Sequence, residues 1–158
     1  ACNGAAYGGG CEFILASDFA YGSTNAKLAL TEVTLGIMPG AGGTQFLPRA
    51  IGIRRAKEFL LTGSPCTAEE AFEWGIFNKI CAPNELLNLA LKTAERIASN
   101  APISIRQAKK ALNVATQLDL KNGYAFEIEA YNRMIPTEDR QEGIKAFNEK
   151  RLPVFKGK

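Results

Sequence analysis

The chain has 158 residues, enough for one domain with a real core, and an ordinary globular composition of 46% hydrophobic and 22% charged residues. Its net charge of +3 is dispersed rather than blocked and is too small by itself to argue for a nucleic-acid partner, and no apolar run reaches membrane-spanning length. There is no histidine, so the commonest general base is missing and any proton chemistry falls to carboxylates.

Cys2, Cys11, Cys66 and Cys81 match no zinc or redox spacing. They read as reduced, mostly buried apolar residues, which favours cytoplasm or an organelle matrix such as the mitochondrial one. The chain begins without Met, in the middle of an apolar pattern, with no signal-peptide pattern at its start. The expectation is that further sequence precedes Ala1.

The first residues read as the end of a buried strand. Gly4 and then Gly8, Gly9 and Gly10 turn the chain into a helical pattern over 11–16. A Gly-rich turn at a helix start leaves backbone N–H groups unpaired, and the helix dipole adds positive charge there. Such a turn can stabilise negative charge on a ligand oxygen, or it can be only a tight turn. Glu12 sits just behind it, as a reactive carboxylate or as a first-turn acid that suits the dipole.

Residues 19–21 read as a short strand before a turn at 22–25, and 27–30 as a second strand with Glu32 just past its end. Glu32 is there a functional group at a strand end or a solvated loop acid. Gly36, Pro39, Gly40, Gly42 and Gly43 forbid a regular element through the following loop. That loop must bring its backbone close to another segment or to a ligand. A helix follows to Ile51 with Pro48 in its first turn, then another over 53–61 closed by Gly63. Thr67 and Glu70 form a capping-box pattern for a helix ending at Gly75. A strand over 76–81 and a helix capped by Asn84 with the stripe Leu86, Ala90, Ala94, Ile97 come next.

Ala101-Pro102 marks a boundary, giving domains 1–100 and 101–158, the second wholly helical: 103–115, about 119–134 and a last helix capped by Thr137. That last helix carries Glu138 and Asp139 at its positive end and Lys150 and Arg151 at its negative end. Leu120, Tyr124, Ile128 and Tyr131 share a face that reads as core or subunit contact.

Two Gly-rich turns thus each stand beside a carboxylate. The words Asn3-Gly4-x-Ala6-x-Gly8-Gly9-Gly10-x-Glu12, then Asp18, then Glu32-Val33-x-Leu35-Gly36-Ile37-x-Pro39-Gly40-x-Gly42-Gly43-Thr44-Gln45 resemble the crotonase superfamily, the enoyl-CoA hydratases and isomerases. Leu47-Pro48-Arg49, Leu61-Thr62-Gly63 and the tail Thr137-Glu138-Asp139-Arg140-x-Glu142-Gly143 through Ala146-Phe147 and Glu149-Lys150-Arg151 continue the match. The resemblance implies an α/β fold, a crotonase-like spiral of strand–strand–helix repeats, here its C-terminal part over 1–100. A helical region over 101–158 would trimerise and cover the active site. It also implies reversible addition of water to a trans-2-enoyl-CoA, with an acyl-CoA thioester as substrate and no separate cofactor or metal, in a homotrimer or dimer of trimers.

Carried over by position, Gly9 would donate its N–H to the thioester oxygen as half of an oxyanion hole whose other donor lies upstream. Glu12 would be the base that activates water, and Glu32 the acid that protonates the α-carbon. Gly40 would help hold the water, Tyr131 and Phe147 would wall the acyl or pantetheine region, and Lys150 would meet the CoA 3′-phosphate. Two glutamates favour hydration, because isomerases of the superfamily commonly lack an acid at the Glu12 position. Thr31 stands where Pro is usual and Phe46 where Arg is common, which touches acyl specificity. The tail resembles short-chain hydratases and the methylglutaconyl-CoA hydratase branch alike. The alternatives are isomerisation or dehydration on the same scaffold, and a non-catalytic oligomerisation or binding module. An RNA-binding side role has only the mild charge and Lys109-Lys110 behind it.

Overall fold

The computed structural model describes residues 1–158. In chain order the elements are β1 (Ala5–Tyr7), α1 (Gly9–Ala16), β2 (Tyr21–Ser23), β3 (Lys27–Ala29), α2 (Gly43–Ile51), α3 (Ile53–Thr62), β4 (Cys66–Thr67), α4 (Ala68–Trp74), β5 (Lys79–Cys81), α5 (Leu86–Ala98), α6 (Pro102–Ala115), α7 (Leu120–Asn132) and α8 (Glu138–Asn148), with a 3₁₀ turn over Glu32–Leu35. They fall into two compact units, Ala1–Leu91 and Lys92–Lys158. None of the helices is long and apolar enough to cross a membrane.

In the first unit β1 pairs in parallel with β3, and β3 pairs antiparallel with β4. A second sheet joins β2 and β5 in parallel, and Cys2 adds one bridge to Gly22. Leu28, Leu30, Leu47, Phe59, Phe77 and small residues such as Cys11 and Ala71 make the core. Burying each large side chain contributes roughly 1.5–3 kcal/mol, and Phe59 stacks edge-on against Trp74 with centroids 5.8 Å apart. β1 is a strand, as its apolar letters suggest, but its residues are exposed or half-buried rather than buried.

Other differences from the sequence reading have local causes. Gly22 lies inside β2 rather than in a turn, paired with Ile80 of β5, and a Cβ there would stand 2.5 Å from the ring of the buried Phe77. The glycine makes room for the core, and the turn falls on Thr24 and Asn25. The strand expected over 76–81 starts only at Lys79, since the Ile76 and Phe77 N–H groups turn back to the Ala71 carbonyl and close α4. α2 begins at Gly43, so Pro48 lies in its interior; left-handed Gly42 (φ 105°) starts the helix, its carbonyl accepting the Gln45 and Phe46 N–H groups. Asn84 does not cap α5: the Leu89 N–H bonds to the Glu85 carbonyl, and Asn84 sits in the preceding turn. The capping box is present in full, with Glu70 N–H donating to Thr67 Oγ1 and Thr67 N–H to Glu70 Oε2.

In the second unit Pro102 opens α6, Asp119 caps α7 through the Asn122 N–H, and Thr137 caps α8 through the Arg140 N–H. The stripe on α7 is not core within this chain: Leu120, Tyr124, Ile128 and Tyr131 are exposed. α8 ends at Asn148, so Lys150 and Arg151 lie past its last turn, and Lys150 takes a left-handed conformation (φ 54°).

Candidate active site

The site grows from the β1–α1 turn. Gly8 adopts φ 53° and ψ −125°, a combination that side chains resist, and its N–H donates to the Ala29 carbonyl at the end of β3 (2.9 Å). Gly9 is the first residue of α1, so its N–H has no acceptor within the helix. Gly9 is exposed, and nothing lies within 4 Å of where a Cβ would stand.

Glu12 lies in the first turn of α1 and is 4% exposed. Its Oε1 accepts two backbone bonds from the second Gly-rich loop, from Ala41 N–H (2.8 Å) and Gly43 N–H (2.8 Å). Bonds from N–H groups to an ionised carboxylate are short and strong, and both converge on one oxygen. Gly43 is also the first residue of α2, so the carboxylate occupies the positive end of that helix. The glycine keeps this approach free of crowding: a Cβ at Gly43 would stand 3.0 Å from Glu12 Oε1 and 3.0 Å from Pro39 Cβ.

Glu32 opens the 3₁₀ turn that follows β3. Its carboxylate faces Gly8, where an added Cβ would lie 3.4 Å from Oε1. Oε2 is buried and has no hydrogen-bond partner. A buried carboxylate oxygen without a donor is costly to leave so, and it marks a position where water or a ligand can bond. Beside both acids lies Cys11, whose thiol is pushed up to about 12 by burial first and then by Cys66, Glu32, Cys2 and Glu12. It stays a thiol at neutral pH, and a thiol is not the nucleophilic form.

The structure therefore brings Gly9, Glu12 and Glu32 together at one turn. Gly40 adjoins the clamp, one residue before Ala41, and is exposed with open space at its Cα. Tyr131, Phe147 and Lys150 belong to the second unit and are exposed. Tyr131 lines a groove of about 620 Å³ between α6 and α7 with Ala111, Leu112, Tyr124 and Ile128; Phe147 and Lys150 do not line it. Sequence reasoning missed the Ala41 and Gly43 N–H groups as the partners of Glu12. The signal was present in the glycine spacing, but no letter says which carboxylate a loop will hold. The unusual Phe46 also gains a reason, since its ring lies over left-handed Gly42, 2.5 Å from where a Cβ would be.

Comparison with known proteins follows the same lines. The family model described as "Enoyl-CoA hydratase/isomerase" matches residues 1–158. The chain is 43% identical over 96% of its length to the short-chain-enoyl-CoA hydratase of Clostridium acetobutylicum, covering 58% of that protein. It is 44% identical over 99% of its length to the (E)-benzylidenesuccinyl-CoA hydratase of Thauera aromatica, covering 61%. A crystal structure of an enoyl-CoA hydratase from Bacillus anthracis superposes with a TM-score of 0.96 at 49% identity, over 98% of this chain and 60% of that one. The chain spans about three fifths of the length of these relatives. With the two glycine turns and their carboxylates in place on that fold, the chain belongs to the enoyl-CoA hydratase/isomerase family and has the crotonase fold.

Proposed function

We propose that this chain carries the acid–base half of an enoyl-CoA hydratase, adding water reversibly to a trans-2-enoyl-CoA to give a 3-hydroxyacyl-CoA. The observation that carries this reading is the pairing of Glu12, buried and held on one oxygen by Ala41 and Gly43, with Glu32, whose buried Oε2 has no partner. Hydration needs two such groups. Glu12, fixed by the loop, takes a proton from water as its oxygen attacks the β-carbon. Electrons move onto the thioester oxygen as an enolate, and Glu32 delivers a proton to the α-carbon. Positioned acid–base groups contribute roughly 10²–10⁴-fold. The Gly9 N–H at the start of α1 meets the enolate oxygen, and losing one such donor typically costs about 3–4 kcal/mol of barrier. Gly40 lies beside the N–H groups that hold Glu12 and helps seat the water. Double-bond isomerisation needs only one acid at the Glu32 position, so the second, clamped carboxylate favours hydration.

The remaining assignments belong to the same reading. Tyr131 and Phe147 wall the acyl or pantetheine region, and Lys150 meets the CoA 3′-phosphate. The exposed face of α7 supports assembly as a homotrimer or dimer of trimers. The acyl group is left open, because relatives at 43% and 44% identity carry names for very different acyl chains.

The test is the loss of the conjugated thioester absorbance of crotonyl-CoA with the protein at its full natural length. Glu12→Gln and Glu32→Gln are each expected to lower kcat by roughly 10²–10⁴-fold. Full activity in both variants would sink the mechanism.

A further inference from the structure

Lys150 is the one residue other than glycine with a positive φ, at 54°. Glycine is the usual residue at this point, because a side chain crowds its own carbonyl in the left-handed region. The local bonds are those of a helix stop. Lys150 N–H donates to the Phe147 carbonyl (3.2 Å), and Arg151 N–H reaches back to the Ala146 carbonyl (3.0 Å). A strained conformation persists only where its surroundings over-determine it, and it then invites a functional reading.

Those surroundings are a strap. Residues 151–158 fold back along α8 and are fastened by two of its own carboxylates. Glu142 takes a two-pronged bond from the Arg151 guanidinium, Nη1 to Oε1 at 2.6 Å and Nη2 to Oε2 at 2.9 Å, and also accepts the Val154 N–H (2.9 Å). Arg151 Nε bonds Glu149 Oε2 at 2.6 Å, so the residues on both sides of Lys150 are fixed by the same guanidinium. Asp139, 3% exposed, accepts the Lys156 N–H (2.7 Å) and the Gly157 N–H (2.8 Å), one on each oxygen, while its own N–H donates to the Lys158 carbonyl (3.1 Å). The Phe155 ring passes Gly143 at ordinary contact distance from where a Cβ would stand (3.6 Å).

From this we infer that Glu142 and Asp139 are positioning residues for substrate binding: by latching the strap to α8 they hold Lys150 left-handed and so fix where its ammonium projects. The inference rests on the reading that Lys150 meets the CoA 3′-phosphate. A flexible lysine loses its four-carbon freedom when it binds a phosphate, and a backbone already fixed reduces the ordering that binding must impose. The latch acts on affinity for the phosphate-bearing end of the substrate and takes no part in the proton transfers.

The experiment compares crotonyl-CoA with crotonyl-3′-dephospho-CoA, which differ only in that phosphate, in the protein at its full natural length. The readout is the ratio of kcat/KM for the two substrates. Lys150→Ala is expected to lower the ratio by about three- to tenfold. Glu142→Ala and Asp139→Asn, which open the latch at different points, are expected to lower it in the same direction through KM for crotonyl-CoA, with kcat retained. A general loss of structure would depress both substrates and leave the ratio unmoved. If Lys150→Ala lowers the ratio and both latch variants leave it at the parental value, the latch inference is overturned and the lysine assignment stands. An unchanged ratio in Lys150→Ala overturns the lysine assignment itself, and the latch inference with it.

Discussion

Gly43 donates its N–H to Glu12 Oε1 at 2.8 Å, and a methyl group on Gly43 would stand 3.0 Å from that same oxygen. The residue that holds the carboxylate is therefore also the one whose lack of a side chain lets the carboxylate approach. The relationship ties the two glycine-rich stretches into one object, with each useful only because of the other.

Gly43→Ala tests that relationship without touching a charged group. Gly43 is a helical residue with no positive φ, so the alanine backbone is unstrained and the effect must come through Glu12 and Pro39. Overpacking of this kind costs about 1–3 kcal/mol of stability. Glu12 or Pro39 must give by a few tenths of an ångström, less than the misplacement of about 1 Å that can cost roughly 10²-fold in rate. We expect a folded protein with a modestly lower Tm and a kcat on crotonyl-CoA lowered by less than about 10²-fold. Parental kcat in a variant with the lower Tm would show that Glu12 does not depend on the clamp.

Glu32 makes the opposite prediction for stability. Its Oε2 is buried without a partner, so the folded state carries a desolvation cost that an apolar side chain of similar length does not. Glu32→Leu should leave stability unchanged or raise it by up to about 2 kcal/mol, the range common for single stabilising substitutions, while hydration activity is lost. Denaturant unfolding alongside the crotonyl-CoA assay measures both. A clear destabilisation would mean that the carboxylate stabilises the fold, and retained hydration activity would remove it from the chemistry.

The strap has a pH signature of its own. The hydrogen bonds from Arg151, and then the Val154 N–H, hold the Glu142 carboxyl down to about 2, whereas a glutamate in an unfolded chain titrates near about 4.3. A lowered folded-state value stabilises the ionised, latched form. The contribution is fully present above the unfolded value and is lost as pH falls through the folded one. In an acid titration followed by NMR, the Val154 amide resonance should hold its latched position down through about pH 4 and move only as the pH approaches about 2. In Glu142→Gln this transition should disappear. A Val154 shift near pH 4 in the parental chain would mean the bonds from Arg151 and Val154 do not persist in solution.

Much of this protein was legible as a string of letters. Local rules decide several of the helix ends, and they needed only neighbours in sequence: Thr67 with Glu70, Thr137 as a cap, and Gly63 and Gly75 as stops. Glu12, Glu32 and the glycines beside them stood out because carboxylates next to forced turns are chemically conspicuous. Tertiary structure decided the rest, because the physics there involves residues distant in the chain. Gly22 looked like turn punctuation until Phe77 filled the space above it. The apolar stripe of α7 obeys helical periodicity, yet Leu120, Tyr124, Ile128 and Tyr131 remain exposed, since periodicity says which face is apolar and not what covers it. Above all, the sequence placed two acids near two loops, while only the fold showed that the loop of Gly43 holds Glu12 and that Glu32 turns in against Gly8. Hydrogen-bond partners and unpaired buried oxygens are properties of converging segments, and no single segment carries them.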